Sequence, residues 1–177
     1  MLQLCQDDRY VLKQYEAYEF RERLWIFVEL MDLGALTPIL EERYESLTEN
    51  MVKYILLKTL QGLDYLHSKG IMHRDIKSDN ILINSKGELK LADFGYAAHL
   101  TQERQNRTSR VGTVCWMAPE LIKQKESYST KVDIWSFGIL CMELANGNPP
   151  YLNEPQFRVL YKILSCDPPQ IDRKWSS

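Results

Sequence analysis

The stretch 46–70 constrains the architecture most. It opens with Ser46-Leu47-Thr48-Glu49, the spacing of a capping box in which serine and glutamate satisfy backbone donors at a helix start. Met51, Ile55, Leu56, Leu60, Leu63 and Leu66 then recur at helical spacing, and Lys69-Gly70 supplies a stop. A long helix with one apolar face must bury that face against other elements. The 177 residues allow this within a single domain, since a domain takes roughly 100–200 residues.

The flanking sequence supplies the partners. Residues 10–20 and the apolar run Leu24-Trp25-Ile26-Phe27-Val28-Glu29-Leu30 predict two strands joined by a charged turn at Arg21-Glu22-Arg23. Asp32-Leu33-Gly34 signals a turn, followed by a short helix over 36–42. Ile81-Leu82-Ile83 and Leu89-Lys90-Leu91-Ala92 flank Asn84-Ser85-Lys86-Gly87, which predicts a hairpin. Residues 93–113 lack periodicity and read as a long functional loop. Ser129 caps a second long helix reaching Asn146, with Ile134, Phe137, Leu140, Cys141 and Leu144 apolar and Gly147 ending it. So many apolar positions predict a central, buried helix. A last helix is expected over 154–164.

Composition removes several function classes. Lys and Arg number 22 against 24 Asp and Glu, so no basic surplus exists to neutralise a phosphate backbone, and nucleic acid is not an expected partner. Cys5, Cys115, Cys141 and Cys166 show neither metal-ligand spacing nor the density of a disulfide scaffold. Asp133, Ser136 and Glu143 interrupt the most hydrophobic stretch, 133–147, so no membrane span is expected. The first eight residues lack the build of a signal peptide. Cytoplasm, with the nucleus as an alternative, is the expected compartment.

The chemistry is carried by His73-Arg74-Asp75-Ile76-Lys77-Ser78-Asp79-Asn80, then Asp93-Phe94-Gly95, then Ala118-Pro119-Glu120. Each alone is weak: a solvated carboxylate, a core histidine or a turn glycine explains it equally well. Their ordered co-occurrence is what decides. Phosphoryl transfer asks a protein to place a nucleophile in line and to neutralise spreading negative charge. Asp75 suits a hydroxyl-orienting base, Asn80 and Asp93 supply the hard oxygen ligands that Mg2+ prefers, and Lys77 adds a cation.

In this order the three motifs resemble the catalytic-loop, metal-binding and activation-segment signatures of eukaryotic protein kinases. The wording is closest to the PAK branch of the sterile-20-like serine/threonine kinases, through His73–Leu82, Ala92–Ala98, Gly112–Glu120 and Pro149–Glu154. Lys77 marks the serine/threonine rather than the tyrosine class. The resemblance implies an α+β, kinase-like fold over 1–177. Residues 1–30 would be a remnant of the N-lobe with two strands and the start of the hinge, and 31–177 a helical C-lobe stopping before its last helices. It implies ATP and Mg2+ as cofactors and protein substrates with Ser or Thr acceptors. It also implies upstream activation, small GTPases among the candidates, through regions outside the chain.

Residue by residue, the resemblance implies that Val28 guards the back of the adenine pocket, Glu29 and Met31 present backbone groups to adenine, and Leu82 forms its floor. Thr113 would pack beside Asp75 and Lys77, and Asp133 would brace the catalytic loop. Ser109, or its neighbour Thr108, would be the activating phosphosite, with Arg74 receiving the phosphate. Two departures stand out. Upstream of Tyr10 there is no Gly-rich loop and no strand lysine of the Val-Ala-Ile-Lys type, and Val114-Cys115 replaces the usual Pro-Tyr or Pro-Phe. The expectation is therefore a serine/threonine kinase domain, here incomplete, with a catalytically silent kinase-like binding module as the alternative.

Overall fold

A computed structural model describes residues 8–93, 98–99, 113–123 and 128–171. The elements run β1 (Gln14–Phe20), β2 (Arg23–Val28), β3 (Gly34–Ala35), α1 (Leu36–Arg43), α2 (Glu49–Ser68), β4 (Ile71–Met72), β5 (Ile81–Ile83) and β6 (Leu89–Leu91). They continue with β7 (Ala98–His99), α3 (Pro119–Lys123), α4 (Lys131–Asn146) and α5 (Gln156–Ser165). This is the α+β arrangement expected from the sequence.

Strands β1 and β2 form an antiparallel hairpin in which Phe20 opposes Arg23. The intervening Arg21 and Glu22 take φ of 50° and 60°, the positive values that let a two-residue turn match strand twist. Among the described residues the hairpin is open on both faces: Tyr15, Tyr18, Phe20, Trp25 and Phe27 are all exposed. Tyr18 stacks on Phe27 with ring centroids 5.2 Å apart. The hairpin is joined to the rest through Tyr10–Lys13: Leu91 N donates to Tyr10 O (2.7 Å), and Leu12 N to Leu91 O (2.8 Å).

The remaining strands form two small antiparallel sheets, β3-β5-β6 and β4-β7. The main core lies between these strands, α1, α2 and α4, and contains Val11, Leu36, Leu63, Leu66, Ile76, Leu91, Leu140 and Leu144. α2 presents Val52, Ile55, Thr59, Gly62, Leu63 and Leu66 to it. That differs from the face read from the sequence, because Met51 and Leu60 are exposed. Gly62 marks the closest approach: a Cβ there would lie 2.9 Å from Leu91 Cδ1 and 3.2 Å from Tyr10 O.

The helix caps also differ from the expectation. Thr48, not Ser46, is the N-cap of α2, and its side chain accepts from Met51 N. Ser46 sits in a 3-10 turn and donates its hydroxyl to Arg43 O (2.7 Å). The shift by two residues follows from the backbone, since Thr48 is extended (φ −84°, ψ 157°) as an N-cap must be. At the far end of α4, Gly147 ends the helix at φ 80°, a conformation that glycine enters without a Cβ penalty.

α4 is the central helix, as its composition predicts. Leu140 and Leu144 enter the main core, and Ile139 enters a second cluster with Val114, Cys115, Trp116, Val159 and Ile163. Val132 joins Met72 and Ala118 in a third. Ile134, grouped with the core from sequence, is instead 44% exposed while Leu140 is 0% exposed. Replacing Leu140 by Ala should therefore cost about 2–5 kcal/mol, whereas Ile134→Ala should cost under about 1 kcal/mol. Urea unfolding of the two variants checks the difference.

Candidate active site

The segment between β4 and β5 is a loop with most of its side chains buried. His73, Asp75, Ser78 and Asn80 are all at most 5% exposed. Buried polar groups on an irregular backbone must be paired. α4 provides the pairing: Asp133, 0% exposed, accepts from the backbone N–H of His73 (Oδ2, 2.9 Å) and of Arg74 (Oδ1, 2.7 Å). It also accepts from His67 Nε2 (2.8 Å) at the end of α2. Arg74 stands at φ 66°, a left-handed position that costs a non-glycine residue about 1–3 kcal/mol. Two charge-assisted bonds on adjacent amides hold it there.

His73 is the second organiser. Its Nδ1 accepts from Asp75 N (3.3 Å), so Nε2 carries the proton and donates to Ala92 O (2.9 Å). The ring thus links the loop to the residue preceding Asp93. Desolvation by burial pushes its pKa below the usual imidazole value, against the opposing pull of Asp133, Asp75 and Asp93. The ring is neutral in the folded state at physiological pH.

Asp75, Lys77 and Asn80 converge. Asn80 Nδ2 donates to Asp75 O (2.7 Å) and to Asp75 Oδ2 (2.8 Å), and Lys77 Nζ lies 3.2 Å from the same Oδ2. With Nδ2 committed to two acceptors, Asn80 presents its Oδ1 as a free-standing acceptor type, the kind a hard cation takes. The other oxygen of Asp75, Oδ1, is buried and meets no hydrogen-bond donor among the described residues. Asn80 O accepts from Ala92 N (2.9 Å), which pins the start of the Asp93 segment a second time. Asp93 itself is exposed, at φ 59°.

A family model described as the protein kinase domain matches residues 1–175. The chain belongs to the protein kinase family. Among its relatives, the serine/threonine-protein kinase SKM1 of Saccharomyces cerevisiae is 48% identical over 85% of this chain and 24% of that protein. The serine/threonine-protein kinase pakB of Dictyostelium discoideum is 47% identical over 94% of this chain and 20% of that protein. The serine/threonine-protein kinase STE20 of Yarrowia lipolytica is 48% identical over 84% and 13%. The chain thus spans a quarter or less of the length of these relatives, all of the sterile-20/PAK type.

In this kinase domain the other positions expected from the sequence are spread as follows. Val28 ends β2 opposite Gln14 and is exposed. Glu29 receives Lys90 Nζ on its Oε1 (2.7 Å), and Lys90 pairs across the sheet with Leu82, so hinge and expected pocket floor are neighbours. Met31 is buried, and its carbonyl accepts from Gly34 N (3.0 Å). Arg74 Nη1 donates to Tyr128 Oη (3.2 Å). Thr113 begins the 3-10 turn Thr113–Trp116. Thr108 and Ser109 lie outside the described residues, as do Phe94 and Gly95. Cys115 is packed in the second core, and burial raises its thiol pKa.

Sequence reasoning passed over Glu143. It is 4% exposed on α4, where desolvation raises its carboxyl pKa, and it accepts from Ser78 of the catalytic loop and from Trp116 Nε1 (3.0 Å). A sequence signal existed. Asp133, Ser136 and Glu143, noted as interruptions of an apolar helix, recur at i, i+3 and i+10 and so share one face.

Because His73 is neutral when buried, only the unfolded chain binds its proton as pH falls below about 6.5. Stability should fall from that pH downward, by at most about 1.4 kcal/mol per pH unit from this group. Glu143, with a raised pKa, contributes with the opposite sign: its stabilisation is complete below the unfolded carboxyl value and declines as pH rises. A His73→Gln variant should be less stable at pH 7.5 yet lose less on going to pH 5.5. Chemical denaturation at the two pH values measures it.

Proposed function

We propose that the domain transfers the γ-phosphate of ATP, with Mg2+, to Ser or Thr hydroxyls of protein substrates. The observation that carries this reading is the convergence of Lys77 and Asn80 on one oxygen of Asp75, while the other oxygen is buried without a donor. A buried acceptor held in this way is suited to the one donor a phosphoacceptor brings, its hydroxyl proton. Lys77, at 3.2 Å from Asp75 Oδ2, lies where a transferring phosphoryl group would need positive charge.

The residues fit the cofactors. Among the described residues no three His, Cys, Asp or Glu side chains cluster as a metal site. Mg2+ would rest on Asn80 Oδ1 and the Asp93 carboxylate, with phosphate oxygens and water completing its shell, as is usual for this ion. It would supply charge neutralisation across the phosphates. Val28, Glu29, Met31 and Leu82 would enclose adenine. Thr113 would close on Asp75 and Lys77 from the peptide side. Residues 1–30 read as N-lobe and hinge start and 31–177 as C-lobe. Cytoplasm or nucleus is the compartment this reading favours, and small GTPases acting outside the chain are candidate activators.

The assay is transfer of labelled phosphate to a serine-containing protein. It uses the 177-residue chain and a form extended upstream with the Gly-rich loop and strand lysine of a sterile-20-like relative. In the extended form, Asp75→Asn should lower the rate by about 10²–10³ or more. The chain as it stands should be slower than the extended form by at least about the same factor, since removing one preorganised charge-stabilising donor already costs that much. An extended form whose rate ignores Asp75→Asn, or that transfers nothing, overturns the kinase reading in favour of a silent binding module.

Regulation would run through the activation segment. A doubly charged phosphate on Ser109 or Thr108 would gain charge-assisted bonds from Arg74, whose backbone is already fixed by Asp133. Alanine at both positions should cut the activity of the extended, phosphorylated form by about tenfold, the worth of one such bond. An unchanged rate would remove these residues from the regulatory scheme.

A further inference from the structure

The outer edge of β2 has no partner strand among the described residues, since β1 and β2 form a two-stranded sheet by themselves. Alternation puts Leu24, Ile26 and Val28 on one face and Trp25 and Phe27 on the other, and all five are between 42% and 68% exposed. A lone hairpin of this kind is marginal in water, and further strands beside an apolar face are what make it stable. The two edges of the hairpin differ in charge. β1 carries Glu16 and Glu19 with no cation, and its register is irregular between Gln14 and Glu16. Two copies of β1 side by side would crowd these carboxylates into one seam without a counter-charge. β2 has a single charge, Arg23 at its start, and then runs Leu-Trp-Ile-Phe-Val.

We propose that β2 pairs antiparallel with β2 of a second copy of this chain, about a two-fold axis at Ile26, to close a four-stranded sheet. Charge selects this register. With Ile26 opposite its own copy, Trp25 opposes Phe27, Leu24 opposes Val28, and Arg23 opposes Glu29 of the second copy. Each end of the seam then holds a pair of opposite charges. Glu29 has an oxygen for Arg23, because the bonds its side chain makes among the described residues, from Lys13 N and Lys90 Nζ, both end on Oε1. Residues directly opposite in an antiparallel pair point to the same face, so aliphatic meets aliphatic and aromatic meets aromatic across the seam. A slip of one residue would set Leu24 against Phe27 and Arg23 against Val28, and lose both matches. The contact is isologous and closes at two copies, with the outer β1 edges guarded by Glu16 and Glu19. Nothing in it depends on the phosphate-transfer reading.

The test is made on the full chain. Sedimentation equilibrium should show a monomer–dimer equilibrium in the micromolar range, the strength of a small edge contact. Ile26→Lys, and separately Ile26→Glu, should weaken it by at least about tenfold, because like charges then face each other across the axis. An equimolar mixture of the two variants should restore a dimer with one copy of each. Hydrogen exchange of the unsubstituted chain gives a second reading that needs no variant, so a substitution that fails to fold does not shelter the proposal. On raising the concentration through the midpoint, the alternate amides of 23–28 that point to the free edge should slow by about tenfold, the factor of one bond gained. The outward amides of 14–20 should not change. A chain that stays monomeric or forms larger aggregates, Ile26 variants that associate as well as the parent, or a mixture without mixed dimers overturns the proposal. So does protection that falls on β1, or on the exposed Phe157 and Tyr161 of α5, in place of β2.

Discussion

The carboxylate of Asp133 is the interaction on which the rest of the site depends. The catalytic loop has no sheet or helix to satisfy its backbone, and two of its amides, those of His73 and Arg74, end on this one side chain. Such an arrangement needs an anion that is itself buried and immobile. α4 gives it that, because Val132, Leu140 and Leu144 lock the helix into two cores at once. The left-handed backbone at Arg74 is tolerable only with this support. A hydrophobic helix therefore carries the polar groups that shape the site.

His73 extends the same logic to the segment that begins at Asp93. Neutral and fully buried, it converts the position of Asp75 N into the position of Ala92 O, and Asn80 O repeats the link through Ala92 N. His73 and Asp133 act alike here. Both fix where Asp75, Asn80 and the start of the Asp93 segment stand. Together these bonds tie the loop and the start of the Asp93 segment into one hydrogen-bonded floor. The β1–β2 hairpin contrasts with that floor: open on both faces among the described residues, its apolar strands have the free edges that other strands or chains pair with.

Much of the fold could be read from the residues. The hairpins, the two long helices and their glycine stops follow from apolar periodicity and local turn chemistry, both of which act over a few residues. The misreadings have local causes too. Ser46 and Thr48 are both competent caps, and only the extended backbone at Thr48 decides between them. Met51, Leu60 and Ile134 are apolar at helical spacing yet exposed, because periodicity gives the existence of a face and not which flank of it meets a neighbour.

For the site, sequence by itself determined the chemical groups and the family: Asp75, Lys77, Asn80 and Asp93 in motif order carry enough information that chance spacing is a poor explanation. Tertiary structure alone decided which groups share an atom. That Lys77 and Asn80 meet on one oxygen of Asp75, that Asp133 takes two loop amides, and that Glu143 joins Ser78 to Trp116 are contacts between residues up to 65 positions apart. No local preference encodes such pairings. They arise because burial removes water as an alternative partner, so each polar group must find the others.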